Sequence, residues 1–174
     1  LCDAASECYA VSPEAYEKLT EEQHPEGIFA VAKKPRIFSD PTEIDRQGGF
    51  LILDGIQNPQ NLGTVIRTAS ALGISKILLG EGCADPFGKK ALRASMGTVF
   101  KIELYKTDAL LSVLPALKKS GRLYAAALDD TAKDIRSVRF YPEDHLVIGN
   151  EGHGISEKVL ALCDEKIVIP MKQN

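Results

Sequence analysis

The clearest pattern of apolar and polar positions lies at residues 50–80. Phe50 to Leu53 form an unbroken bulky run, as a strand covered on both faces requires. The polar stretch Asn58-Pro59-Gln60-Asn61 follows. From Leu62 the apolar residues return at helical spacing (Leu62, Val65, Ile66, Ala69, Leu72), and Gly73 stops the run. Ile77 to Leu79 form a second buried strand. The stretch therefore reads as strand, loop, helix and strand, with the loop at the carboxyl end of the first strand. In open α/β sheets ligands bind in that position.

The same alternation continues. Asp85-Pro86 predicts the start of a helix through Ala91, Leu92 and Ala94 that Gly97 ends. Val99–Leu104 predicts a strand, and Ala109–Lys119 a helix capped by Thr107 or Asp108. Pro115 should kink or split that helix, and Gly121 stops it. Leu123–Leu128, Leu146–Ile148 and Lys166–Ile169 predict strands; Ser156 is placed to cap a helix ending near Cys163. Before residue 50 the signals are weaker. Ser12-Pro13-Glu14 starts a helix to Leu19, His24 to Gly27 form a turn, Ile28–Ala32 predict a short strand, and Lys33–Gly49 read as a linker. About five strand–helix alternations predict an α/β fold, a mostly parallel sheet with helices on both faces.

Composition narrows the functional classes. The 174 residues suffice for one good core and a small appendage. A net charge of −3 gives no global electrostatic case for nucleic acid. Local basic clusters exist nonetheless: Lys33, Lys34 and Arg36; Lys89, Lys90 and Arg93; Lys118, Lys119 and Arg122; Arg136 and Arg139. Cys2, Cys8, Cys83 and Cys163 form no CxxC pair and no zinc-ligand spacing, so no metal is expected. Scattered thiols suit a reducing, cytoplasmic compartment. No apolar run approaches the roughly 18 residues of a membrane span.

Three stretches could carry chemistry. In the first, Gly63, Arg67 and Ser70 share a helix face away from the apolar stripe. Asn61 can cap the first turn, and Gly63 lets a ligand or another backbone approach beside Arg67. The spacing alone fits a capped helix with a surface arginine equally well. The second, Gly149-Asn150-Glu151-Gly152-His153-Gly154, follows a buried strand. It is neither the G-x-G-x-x-G of dinucleotide folds nor a P-loop. Glu151 is a poor companion for phosphate and suits a hydroxyl, an amine or an arginine. The third, Ile169-Pro170-Met171, ends a strand at a proline, freeing neighbouring backbone groups for a ligand.

Asn61, Gly63 and Arg67, then Gly149 to Gly154, then Ile169 to Met171 resemble, in order, the three motifs of the SpoU (TrmH-type) RNA 2′-O-ribose methyltransferases of the SPOUT class. Asp85-Pro86-Phe87 and Arg93 to Gly97 are similar to the family's connecting segment, and His24 to Val31 to its interdomain junction. The resemblance covers roughly residues 50–171. It implies a SPOUT-type sheet with a C-terminal trefoil knot, S-adenosylmethionine as cofactor, rRNA or tRNA as substrate and a homodimer. It also implies a catalytic set of Arg67, Asn61 and Glu151, with Leu128, Gly149, Asn150, Gly154, Ile169 and Met171 around the cofactor. Arg67 would position the ribose and help deprotonate its 2′-hydroxyl; because a guanidinium stays charged, positioning ranks first.

By the same resemblance, residues 1–46 would be the tail of an N-terminal RNA-binding domain with its linker, and residues 47–174 the methyltransferase domain. The family's third motif continues into a serine–leucine–asparagine segment and a final helix, whereas this chain ends at Lys172-Gln173-Asn174. Since it also begins at Leu1, the chain is expected to be part of a longer protein, with the knot incomplete. The competing expectations are a catalytically inactive RNA-binding module of this fold, and an unrelated nucleotide-binding α/β domain. The second of these needs a glycine fingerprint directly after the first strand, which the loop before Gly63 lacks.

Overall fold

A computed structural model describes residues 5–20, 27–38 and 47–171. The chain divides into two units, residues 1–34 and 35–174.

The smaller unit holds helix α1, Pro13–Leu19, whose capping Ser12 accepts the Ala15 N–H. Ile28–Ala32 is not a strand. Among the described residues its backbone has no ladder partner, and Ile28 and Val31 stand 61% and 91% exposed. Alternating apolar residues without a neighbouring strand do not make a sheet. Most of the turn expected at His24 to Gly27 lies outside the described residues.

The larger unit is a seven-stranded sheet in which every pairing is parallel. Its strands are β1 (Leu51–Asp54), β2 (Lys76–Leu79), β3 (Glu103–Lys106), β4 (Leu123–Ala126), β5 (Lys133–Asp134), β6 (His145–Gly149) and β7 (Glu165–Val168), in spatial order β3-β2-β1-β6-β4-β7-β5. Helices α2 (Pro59–Ala71), α3 (Lys89–Ser95), α4 (Leu110–Leu117) and α5 (Glu157–Leu160) connect them. Phe38 bridges to Tyr105 of β3 and stacks on its ring at 5.0 Å, which attaches the end of residues 35–38 to this unit.

The side-chain alternation of β1 builds two cores. Leu51 and Leu53 face Leu62, Ile66 and Ala69 of α2, together with Ile77 and Leu79. Phe50 and Ile52 face Leu110, Val113, Leu114 and Leu117 of α4, with Val159 of α5. Helices thus cover both faces, and the strands read as continuous apolar runs for that reason.

Several boundaries differ from the pattern-based expectation, each for a local reason. Helix α2 begins at Pro59, because Asn58 rather than Asn61 caps it; Asn58 Oδ1 accepts the Gln60 and Asn61 N–H groups at 2.9 and 3.4 Å. Asp85-Pro86 is a turn in which Asp85 Oδ1 accepts the Phe87 N–H, and α3 starts only at Lys89. Thr98–Lys101 is a 3-10 turn entered through left-handed Met96 and Gly97, so the following strand begins at Glu103. Pro115 does not split α4. Its ring is on the exposed side, while four buried residues hold the opposite face. Ser156 precedes α5 but its hydroxyl makes no capping bond, and the helix ends at Leu160. The strand at 123 stops at Ala126, and two-residue β5 carries no apolar signal.

Candidate active site

Strand order dictates where a ligand can sit. From β1 the chain crosses by α2 to β2 on one side, whereas from β6 it crosses by α5 to β7 on the other. β1 and β6 are paired neighbours, with Asp54 in register with Gly149. Their carboxyl ends therefore border a crevice where the connections diverge, the general ligand position of open α/β sheets. The loops entering it are residues 55–58 and 150–156.

Side chains bind these two loops together at three points. Asp54 Oδ2 accepts the Ser156 N–H at 2.8 Å. The Asn150 amide donates to Gly55 O at 2.7 Å. Glu151 Oε1 accepts the Asn58 N–H at 3.3 Å and the Asn61 side-chain amide at 3.0 Å. Two residues assigned to catalysis from the sequence, Asn61 and Glu151, are thus in direct contact. Desolvation is the largest single effect on the Glu151 carboxyl and raises its pKa. The hydrogen bonds it accepts from its own backbone, from Asn61 and from Asn58 more than offset this and lower it. The group is held as an anion, a firm acceptor and a weak base.

Arg67 lies two turns into α2 and is exposed. Among the described contacts Glu151 does not meet Arg67; it accepts the Asn61 side-chain amide and the Asn58 backbone N–H. Gly63, one turn earlier, is buried. A Cβ there would fall 2.4 Å from Ala91 O and 2.6 Å from Ala94 Cβ. The glycine therefore serves the close packing of α2 on α3, so the approach it permits is that of a backbone and not of a ligand.

The residues assigned to the cofactor from the sequence fall at the carboxyl ends of three adjacent strands, β6, β4 and β7. Leu128 follows β4, Gly149 ends β6, and Ile169 and Met171 follow β7. Leu128, Ile169 and Met171 are 84%, 67% and 74% exposed, so apolar side chains stand in the open at one end of the sheet. Lys166 of β7 pairs with Asp129 and ties the segment after Leu128 to the sheet; this ion pair and bonds from Thr131 hold the Asp129 carboxyl far below its usual range. Gly149 is unsubstitutable by contact, since an added Cβ would meet Gly154 C and Ile155 N at 2.1 Å. Asn150 and Gly154 exchange two backbone hydrogen bonds of 2.9 Å, and Gly154 takes a φ of +71°. The Asn150 side chain is turned inward: it donates to Gly55 O and accepts the Gly152 and His153 N–H groups at 2.8 and 3.1 Å. It shapes the loop from within.

Asp54, Gly55 and Asn58 were not singled out as site residues from the sequence, and Ser156 only as a helix cap. Asn58 carried a signal, because an Asx residue before proline is a helix start. Asp54 looked like the polar end of an apolar strand, and nothing local pointed to a partner 102 positions away. Among the described residues no group of three His, Cys, Asp or Glu side chains could hold a metal ion, and no helix is long and apolar enough to cross a membrane.

Residues 49–174 match the model of the SpoU rRNA Methylase family. The chain is 33% identical over 166 residues to the 23S rRNA (guanosine(2553)-2′-O)-methyltransferase RlmP of Bacillus subtilis, covering 95% of this chain and 64% of that protein. The structure of a putative RNA methyltransferase of the TrmH family from Porphyromonas gingivalis superposes with a TM-score of 0.74 at 27% identity, over 98% of this chain and 70% of that one. The AdoMet-bound rRNA methyltransferase of Sinorhizobium meliloti does so with a TM-score of 0.71 at 28% identity, over 79% and 53%. The chain thus spans somewhat less than two thirds of the curated relative. The family match across the sheet, together with the three motifs gathered at its carboxyl end, establishes that the chain belongs to the SpoU rRNA methylase family.

Proposed function

We propose that the protein transfers a methyl group from S-adenosylmethionine to a ribose 2′-hydroxyl of rRNA or tRNA. The observation that carries this reading is the bond between Glu151 and Asn61. It joins the start of the arginine-bearing helix to the glycine loop at the switch point of the sheet. Substrate and cofactor elements thereby form one rigid site. The names of similar proteins support the chemistry: RlmP is a 2′-O-methyltransferase, and the Sinorhizobium meliloti protein is AdoMet-bound.

The residues present fit the cofactor. Exposed Leu128, Ile169 and Met171 offer an apolar surface to a purine, and the backbone after β4, β6 and β7 offers donors and acceptors to its edges. Gly149 and Gly154 shape the loop backbone, with Asn150 bracing it. S-adenosylmethionine supplies, when bound, a methyl group activated by a sulfonium. Arg67 binds the ribose and its phosphate and stabilises negative charge developing on the 2′-oxygen. Asn61 orients the sugar, and Glu151 fixes Asn61; the lowered carboxyl pKa of Glu151 suits that orienting role better than proton abstraction. The transfer needs alignment and loss of one proton.

The wider reading follows from the resemblance. The protein works in the cytoplasm as a homodimer that brings Asn61 and Arg67 to the subunit boundary. Residues 1–46 belong to the tail of an RNA-recognising domain and its linker, and residues 47–174 to a SPOUT-type methyltransferase domain. Titration calorimetry of the full-length protein with S-adenosylhomocysteine tests the core of the proposal. Stoichiometric binding is expected; absence of binding would overturn it.

A further inference from the structure

Residues 149–155 form a closed loop whose far end is held, among the described residues, by Ile155 packed on the core and by one side-chain hydrogen bond from elsewhere in the chain. The near end is secured several times over. Gly149 sits in the sheet opposite Asp54, Asn150 donates to Gly55 O, and Asn150 and Gly154 exchange two backbone bonds. The chain then crosses Gly149 so closely that a methyl group could not be inserted. Beyond that crossing, the Ser156 N–H has no intrahelical acceptor, because it precedes the first turn of α5. Asp54 Oδ2 accepts it at 2.8 Å. The residue whose side chain accepts this N–H in a capping box, three positions on, is Val159, which has no acceptor. Asp54 is therefore the distant substitute for a local anchor, at the last position of β1 and in register with the glycine over which the loop folds.

We propose that Asp54 is a positioning residue that presets the Gly149–Ile155 backbone for S-adenosylmethionine. This rests on the reading that this backbone holds the cofactor. A carboxylate accepting a backbone N–H makes a charge-assisted hydrogen bond, stronger than a neutral one. A supporting contact of this kind lowers the cost of ordering the loop when the ligand arrives. The buried Val159 and the core-packed Ile155 secure α5 and the loop's exit independently, so Asp54 acts on the loop backbone and not on the fold.

The test compares full-length parent protein with Asp54→Ala, Asp54→Asn and Ser156→Pro. Proline removes the N–H at a position whose φ of −60° it adopts without strain. Asp54→Ala and Ser156→Pro should each raise the dissociation constant of S-adenosylhomocysteine about tenfold, the loss of one charge-assisted hydrogen bond. The double variant should be no worse than either alone. The KM for S-adenosylmethionine should rise in parallel, with kcat at saturating cofactor nearly retained. Asp54→Asn keeps an acceptor oxygen and should stay within about threefold of the parent. Amide exchange at Ser156 should accelerate in Asp54→Ala. Unchanged affinity in Asp54→Ala and Ser156→Pro, or additive effects in the double variant, would overturn the proposal. Should Asp54→Ala not fold, Ser156→Pro and Asp54→Asn decide alone. A parent protein that binds no S-adenosylhomocysteine would remove the functional reading itself. Ser156 exchange unchanged in Asp54→Ala would then still refute the anchor, and faster exchange would leave it standing.

Discussion

The Asn61 side-chain amide donates to Glu151 Oε1 at 3.0 Å, joining residues 90 positions apart. The same oxygen accepts the Asn58 N–H, so one carboxylate holds both the cap and the first turn of α2. Glu151→Ala should lower kcat by about 10- to 100-fold, the range for losing hydrogen bonds to a charged group. Glu151→Gln keeps an acceptor and should lose less. Since the carboxyl pKa is lowered in the folded protein, the clamp is fully present above the ordinary carboxylate range and is lost only as pH falls through the lower folded value. Single-turnover rates of the two variants check this.

Gly63 is a packing residue, and its replacement reads out in stability. Gly63→Ala drives a methyl group to within 2.4 Å of Ala91 O, so α2 and α3 must separate. Overpacking of this kind costs about 1–3 kcal/mol. The melting temperature should fall by about 3–10 °C in a domain of this size, as calorimetry would record.

His145 predicts an acid-sensitive fold. It is 1% exposed, and its Nδ1 accepts the Phe50 N–H at 3.1 Å, while Nε2–H donates to Leu117 O at 3.1 Å. Burial lowers its pKa below the ordinary 6.5, against smaller raising effects of the Leu117 carbonyl and Asp144. The unfolded chain therefore binds a proton more readily than the folded one. Stability from this group is complete above about pH 6.5 and is lost as pH falls toward the lower folded value, by at most about 1.4 kcal/mol per pH unit. Urea melts across pH 7 to 5 should show that slope, and His145→Asn, which cannot take up the proton, should lack this component.

The sheet and both helical layers were legible because buried parallel strands write themselves as apolar runs and α2 keeps strict helical spacing. What could not be read was whatever depended on a partner. The stretch at 28–32 alternates like a strand but has none beside it among the described residues. The pattern pointed to Asn61 as the cap, and only the fold shows Asn58 in that role and Asn61 turned to Glu151. Gly63 was read as open space for a ligand or backbone, and helix α3 fills it. Asn150 was placed at the cofactor by its motif, yet its side-chain bonds are internal to the two loops. Asp54 left no mark in the sequence, because a strand-end carboxylate gains meaning only from the amide it meets.

Arg67 carries the catalytic assignment most sharply. Being exposed on α2, it contributes little to the core. Arg67→Ala should keep the melting temperature within about 2 °C of the parent, as surface substitutions do. Cofactor affinity should also be kept, while transfer to RNA falls by at least about 100-fold, the effect of removing a group that stabilises developing charge. Arg67→Lys, which cannot make the bidentate contact, should restore only part of the loss.

The most direct measurement is methyl transfer by the full-length protein from isotopically labelled S-adenosylmethionine to rRNA and tRNA, followed by digestion to nucleosides and mass spectrometry. The label should appear on the ribose of a 2′-O-methylated nucleoside and vanish with Arg67→Ala. Label on a base, or no transfer by a protein that binds S-adenosylhomocysteine and is supplied with unmodified RNA, would contradict the assigned reaction.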